Sequence, residues 1–195
     1  MLSSDIIETF SGLLDAAGAA GEPEPTAMTL ATATPDGRVS ARTVLLKSVD
    51  AQGFVFYTNL HSNKGVQLDA VPRAALCFLW KRLRESVQVR VEGTVEHVDD
   101  AEADAYFATR PRASQIGAWA SIQSATLPDR ETLERRIAEF ETEFEGRDVA
   151  RPPHWSGFRV VPDAVEFWYG MRHRLHERHL HELRDGAWCH RMLYP

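Results

Sequence analysis

The sequence predicts a mainly β protein, an antiparallel barrel with flanking helices, and three observations carry that expectation. Short runs rich in β-branched and aromatic residues recur at close spacing along the chain. Turn-forming residues separate them, most clearly PDGR (35–38), where Gly37 is free to take a positive φ. Helical patterning is confined to a segment within 1–20 and an insert at 99–145. At 195 residues, 44% hydrophobic and 26% charged, residues 1–195 are sized for one soluble domain with its own core.

Each element has its own signal. Ser3 or Ser4 can cap a first helix on which Ile6, Ile7, Phe10, Leu13 and Leu14 form one apolar stripe. GAAGEPEPT (18–26) breaks it. Strands are expected at MTLATAT (28–34), VSARTVLLK (39–47), GFVFYTN (53–59) and AALCFLW (74–80). From Val87 to Val91 valines alternate with Gln88 and Arg90, the period of a half-buried strand. PDRETLERRIAEFETEF (128–144) reads as an amphipathic helix with Leu133, Ile137, Phe140 and Phe144 on one face. GFRVVP (157–162), AVEFWY (164–169) and RHRLHERHLH (172–181) read as closing strands within 157–195.

Bulk properties exclude several function classes. A net charge of −6 argues against wholesale nucleic-acid binding, which needs an excess of Lys and Arg. Two cysteines are too few for a disulfide scaffold, and Cys77, inside AALCFLW, reads as a buried, reduced thiol. MLSSDIIETF carries acidic residues where a signal peptide needs basic ones, and no apolar run approaches ~18 residues. The expectation is a cytoplasmic protein with no membrane partner.

Against that acidic background, EFWYGMRHRLHERHLH (166–181) holds four of the eight histidines together with Arg172, Arg174 and Arg178. As a strand it would project Arg172, Arg174, His176 and Arg178 to one side, and His173, Glu177, His179 and His181 to the other. HxxH or HxH without a third ligand is a weak metal signal, so a solvated face is expected there and no metal. The guanidiniums of the first face repel one another unless an anionic or planar ligand sits among them. AYFATRPRASQIGAW (105–119) forms a second cluster. Tyr106 and Arg110 share a helical face, Pro111 ends that helix, and Ser114 can cap the next. Either these residues form a phosphate cup at a helix start, or they are surface polar groups around a helix break. Arg42 and Lys47, with Ser62 and Lys64, add further cations, and two clusters suggest two phosphorylated ligands.

Five motifs in order carry a resemblance over nearly the whole chain, from about Asp5 to Pro195. They are RTVLLK (42–47), FYTNLHSNKG (56–65), YFATRPRASQIGAW (106–119), Gln123–Ser124 and EFWYGMRHRLHER (166–178). In these the chain resembles the pyridoxamine 5'-phosphate oxidase family. The resemblance implies an FMN-binding split β-barrel, antiparallel, in a homodimer with FMN at the subunit interface. It implies FMN contacts from Arg42, Thr43, Val44, Leu45, Leu46, Lys47, Tyr57, Thr58, Lys64, Gln88, Gln123, Ser124, Trp168 and Arg178. Substrate phosphate would be held by Lys47, Tyr106, Arg110 and Ser114. Arg174 and His176 would lie against the substrate ring as the catalytic pair. The implied reaction turns pyridoxamine or pyridoxine 5'-phosphate into pyridoxal 5'-phosphate, with dioxygen as acceptor and hydrogen peroxide as product. Departures from the family pattern are Asn63 before the flavin-binding Lys, Val87 before Gln88, about two extra residues after Trp80, Tyr169 and Met192; longer members also carry an N-terminal arm ahead of this start. Two rivals remain: a sister flavin oxidase acting on another ring, and a non-catalytic FMN- or pyridoxal-phosphate-binding module.

Overall fold

A computed structural model describes residues 1–195. Its nine strands form one antiparallel sheet, in the order β2-β1-β5-β6-β7-β4-β3, with β8 on β7 and β9 on β8. In chain order they are β1 (Ala27–Ala33), β2 (Val39–Leu45), β3 (Ser48–Asp50), β4 (Gly53–Asn59), β5 (Arg73–Trp80), β6 (Val87–His97), β7 (Trp155–Tyr169), β8 (Glu177–Arg184) and β9 (Ala187–Leu193). The helices are α1 (Ser4–Ala19), α2 (Asn63–Ala70), α3 (Asp100–Thr109), α4 (Arg112–Ala120) and α5 (Arg130–Glu143). No helix is long and apolar enough to cross a membrane.

The main core lies between α1 and the sheet. Ile6, Phe10, Leu13 and Ala17, one stripe of α1, are buried with Phe54, Phe78, Trp80 and Phe167 from three strands. Phe10 meets Phe54 and Phe78 edge-on, at ring-centroid distances of 4.9 and 5.0 Å. Truncating Phe10 to Ala would cost about 3–5 kcal/mol by the usual cavity penalty. Trp188 Nε1 donates to the Met1 carbonyl at 2.9 Å, and the Leu2 amide donates to the Ala51 carbonyl at 2.8 Å, so the helix is clasped at its start. A second core of Phe107, Ile116, Phe144, Val149 and Trp155 joins the helical insert to the sheet.

β7 is one strand, where two were expected at 157–162 and 164–169. Its first half pairs with β4 (Trp155–Val160) and its second with β8 (Ala164–Tyr169), while β6 runs along the other edge. Pro162 is accommodated because the β6–β7 register shifts between Glu92 and Gly93. A Cβ at Gly93 would lie 2.1 Å from the Val161 carbonyl oxygen, so only glycine fits that bulge.

The expected strand 172–181 is corrected. β7 and β8 are antiparallel neighbours with Tyr169 opposite Glu177, so the chain reverses over 170–176 and residues 172–176 belong to that turn rather than to a strand. Residues Arg172–Arg174 form a 3-10 turn, with positive φ at His173 (58°) and Arg174 (61°). Strand alternation therefore starts only at Glu177. His179 and His181 are not on a solvated face either: they are half-buried against Tyr169, Phe167 and His190. Three smaller corrections follow. Ser114 lies in the first turn of α4 and Pro111 is its N-cap, Cys77 is half-buried, and on α5 only the capping Phe144 is buried. α2, β3 and β9 had no element of their own in the sequence reading.

Candidate active site

A cavity of about 600 Å³ opens between β2, β4 and the break separating α3 from α4. Strand β2 contributes Arg42, Thr43, Val44 and Leu45, followed by Lys47. Strand β4 contributes Tyr57 and Thr58, and the first turn of α2 contributes Lys64. The opposite wall carries Tyr106, Arg110 and Ser114, with Gln123 from the following loop. Four cations thus line one cavity, and no carboxylate does.

Local structure fixes three of them, Arg42, Lys64 and Arg110. Arg42 Nη1 donates to Thr32 Oγ1 (2.6 Å) and the Leu30 carbonyl (3.2 Å), and Nη2 to Gln67 Oε1 (3.3 Å). Burial holds its pKa below the ordinary value. Ser62 caps α2, and the adjacent Lys64 Nζ donates to Thr58 Oγ1 (3.1 Å), Ser62 Oγ (3.3 Å) and Gln123 Oε1 (3.4 Å). All these acceptors are neutral. Gln123 also accepts from Thr58 Oγ1 at 3.1 Å, and Ser124 Oγ accepts from the Asn63 amide at 3.2 Å, so the pair docks its loop on the start of α2.

The opposite wall follows from Pro111. It ends α3 at Arg110, whose backbone swings to φ −72°, ψ 146°. The Arg110 guanidinium lies over the Trp155 ring (4.7 Å) and near Phe107 (5.4 Å), with Nη1 buried and without a hydrogen-bond partner. Burial pushes its pKa down. Tyr106 stacks on Tyr57 at 4.1 Å, and Tyr57 on Trp155 at 5.2 Å. Gly157 opposes Tyr57 in register, and a Cβ there would lie 2.8 Å from the tyrosine ring. Desolvation first, then the nearby Glu102, pushes the Tyr57 hydroxyl up to about 12, so it stays protonated.

Other expected site residues are elsewhere. Leu46 is buried in the main core. Gln88, Trp168 and Arg178 are cross-strand neighbours on β6, β7 and β8, in one row outside the cavity. Arg178 Nε donates to the buried Glu166 at 2.7 Å, and Arg90 holds the other carboxylate oxygen at 3.1 Å. His176 packs on Trp168, with ring centroids 4.5 Å apart, and accepts from the Met171 amide at 3.2 Å. Arg174 is exposed in the turn. Sequence reasoning missed Thr109 and Trp155 in the cavity wall; nothing in the local pattern of a strand-initial Trp marks it as a support for Arg110. No cluster of three or more His, Cys, Asp or Glu side chains has metal-binding geometry.

The unpartnered Nη1 and the four unneutralised cations suit an anion, and the cavity is large enough for a ligand beyond a free phosphate. Comparison with known proteins gives these observations a context. A family model described as pyridoxamine 5'-phosphate oxidase matches residues 14–144, and one described as the pyridoxine 5'-phosphate oxidase C-terminal dimerisation region matches 155–195. A pyridoxine/pyridoxamine 5'-phosphate oxidase of Myxococcus xanthus is 57% identical over 100% of this chain and 94% of its own. One from Xanthomonas euvesicatoria is 58% identical, over 100% and 98%. Among solved structures, PhzG from Burkholderia lata, in complex with tetrahydrophenazine-1-carboxylic acid, superposes with a TM-score of 0.92 at 31% identity, covering 100% of this chain and 98% of that one. An FMN-binding protein of Nostoc punctiforme, related to pyridoxamine 5'-phosphate oxidase, shares the fold at TM-score 0.76 and 18% identity, with both chains fully covered.

Proposed function

The chain belongs to the pyridoxamine 5'-phosphate oxidase family, and from that premise we propose that it binds FMN and oxidises pyridoxamine or pyridoxine 5'-phosphate to pyridoxal 5'-phosphate. The observation that carries this reading is the cavity of four cations without a carboxylate, one of them with a buried, unpartnered N–H group. Two phosphorylated ligands would neutralise it. Arg42, Lys64, Thr58 and Gln123 are grouped for the flavin side, with Ser124 tying their loop in place. Arg110, Tyr106, Ser114 and Lys47 are available to the substrate phosphate.

Bound FMN would supply the two-electron redox chemistry, accepting a hydride from the substrate's C4' carbon. The chain's own residues orient the substrate, hold its charge and exclude water. Arg174 and His176 would press on the pyridine ring and balance charge as it loses hydride. With the amine substrate, dioxygen and water are consumed, and ammonia and hydrogen peroxide are released. Within one chain, however, Gln88, Trp168, Arg174, His176 and Arg178 lie away from the cavity. A homodimer joined through 155–195 would complete each site with a second copy, in keeping with the described role of that region in the family.

The test is peroxide formation by purified, FMN-loaded protein given each phosphorylated vitamer. No peroxide with either would sink the oxidase reading and leave a binding module. The likeness to PhzG favours one rival, oxidation of a different ring. Against it stands the phosphate cup of Tyr106, Arg110 and Ser114, which a ligand without phosphate would not need. Turnover of a ring carboxylate in preference to both vitamers would reverse that judgement.

A further inference from the structure

We infer that Trp155 is a positioning residue for substrate binding, holding Arg110 by its indole face so that the guanidinium keeps its charge and donors for phosphate. The inference rests on the reading that Arg110 grips the substrate phosphate. Its basis is a contrast among the buried and half-buried arginines. Arg159 is held by Asp50 and Glu102, Arg151 by Asp100 and Asp104, and Arg178 by Glu166. A carboxylate fixes an arginine but also neutralises it and occupies its N–H groups. Arg110 has no such partner: its side chain makes no hydrogen bond or ion pair, and Nη1 is buried. What lies beneath it is the Trp155 ring at 4.7 Å. An aromatic face holds a guanidinium by stacking and quadrupole attraction, both out of the plane, so the in-plane donors stay free.

Trp155 is built to serve as a fixed support. It is 6% exposed and paired with Asn59 of β4. Its carbonyl accepts from Arg151 Nη1 at 2.8 Å, and Asp100 and Asp104 of α3 hold the same guanidinium. Its ring is parallel to Tyr57 (5°) and edge-on to Phe107 (69°). The three-ring shelf of Tyr106, Tyr57 and Trp155 therefore connects both walls of the cavity, and Arg110 sits at its Trp155 end.

A double-mutant cycle on the FMN-loaded enzyme tests this, with KM for pyridoxamine 5'-phosphate as the readout. Trp155→Leu should raise KM about five- to tenfold, with kcat within about twofold, because a desolvated cation–π contact is lost. Trp155→Phe, which keeps a weaker π face, should fall between the two. In the Arg110→Ala background the same changes should move KM by less than about twofold, since there is no guanidinium left to position. Flavin absorbance of each variant reports folding, and if Trp155→Leu loses flavin the cycle is read from Trp155→Phe. Equal KM rises in both backgrounds, or no rise with Arg110 intact, would overturn the assignment of Trp155. An Arg110→Ala enzyme with unchanged KM would instead sink the phosphate reading beneath it.

Discussion

Arg42 and Lys64 face one cavity with no carboxylate between them; burial, reinforced by the neighbouring guanidinium, holds the Lys64 ammonium below its ordinary pKa. Such a pair is poised for an anion, whose arrival would restore the lysine's pKa. FMN affinity should be full while Lys64 is charged and should fall as pH rises through its depressed pKa, below the usual 10.5. Lys64→Arg, which does not titrate, should flatten that alkaline loss, and Lys64→Met should weaken FMN binding about tenfold at neutral pH. Fluorescence titration against pH checks both; an alkaline limb unchanged in Lys64→Arg would remove Lys64 from the flavin site.

Arg174 offers a cleaner test of the substrate ring site than its neighbours do. It is exposed and held at φ 61°, so truncation removes no core packing. Arg174→Ala should lower kcat/KM at least about tenfold, through lost stacking and charge. Arg174→Gly, which suits the positive φ, should keep thermal stability and lose the same activity. Wild-type kinetics in either variant would take Arg174 out of the mechanism.

The two halves of the site predict the assembly. Flavin-loaded protein should scatter light as a homodimer at micromolar concentration, with FMN content of one per chain. A flavin-loaded monomer under those conditions would contradict the shared-site arrangement.

His181 gives a pH-dependent stability of known sign. Burial first, then His190 and His179, hold its pKa below 6.5, while Asp5 of α1 opposes them. A histidine with a depressed folded-state pKa stabilises the fold above about pH 6.5, and that contribution is lost as pH falls through the window below it. Melting temperature should therefore drop between pH 7 and 5, and His181→Gln should shrink the drop. The joint change His179→Ala, His181→Ala should lower the melting temperature, since both rings are half-buried, while leaving kcat within about twofold.

The legible parts of the molecule were those written in local periodicity. The α1 stripe and β4 (53–59) stand where their apolar patterns put them, because α1 buries one continuous face and the short apolar run of β4 is buried on both. Pro111 ended its helix as its missing amide and ring sterics demand. The 172–176 turn was not legible: RHRLHERHLH alternates as a strand would, and only the β7–β8 pairing, a long-range fact, forces the reversal. For the same reason β7 looked like two strands, its continuity being set by a bulge at Asp163 that lets both halves pair with β6. The cavity residues on β2, β4 and α3–α4 could be named from their motifs. Trp155 could not, since its role depends on Arg110 lying over it from 45 positions upstream.

The clasped, barrel-filling α1 sets the order in which this chain can become itself during synthesis. Phe10 emerges first, yet the core cluster it joins includes Phe167, and the Trp188 that ties down Met1 comes later still, near the other end of the chain. At ordinary elongation rates of 5–20 residues per second, the helix waits roughly 8–30 s for its last strand partners. During that interval its apolar stripe is a ready client for a chaperone. Local helix-forming tendency brings it into being early, but only the completed sheet can take it off the ribosome's hands.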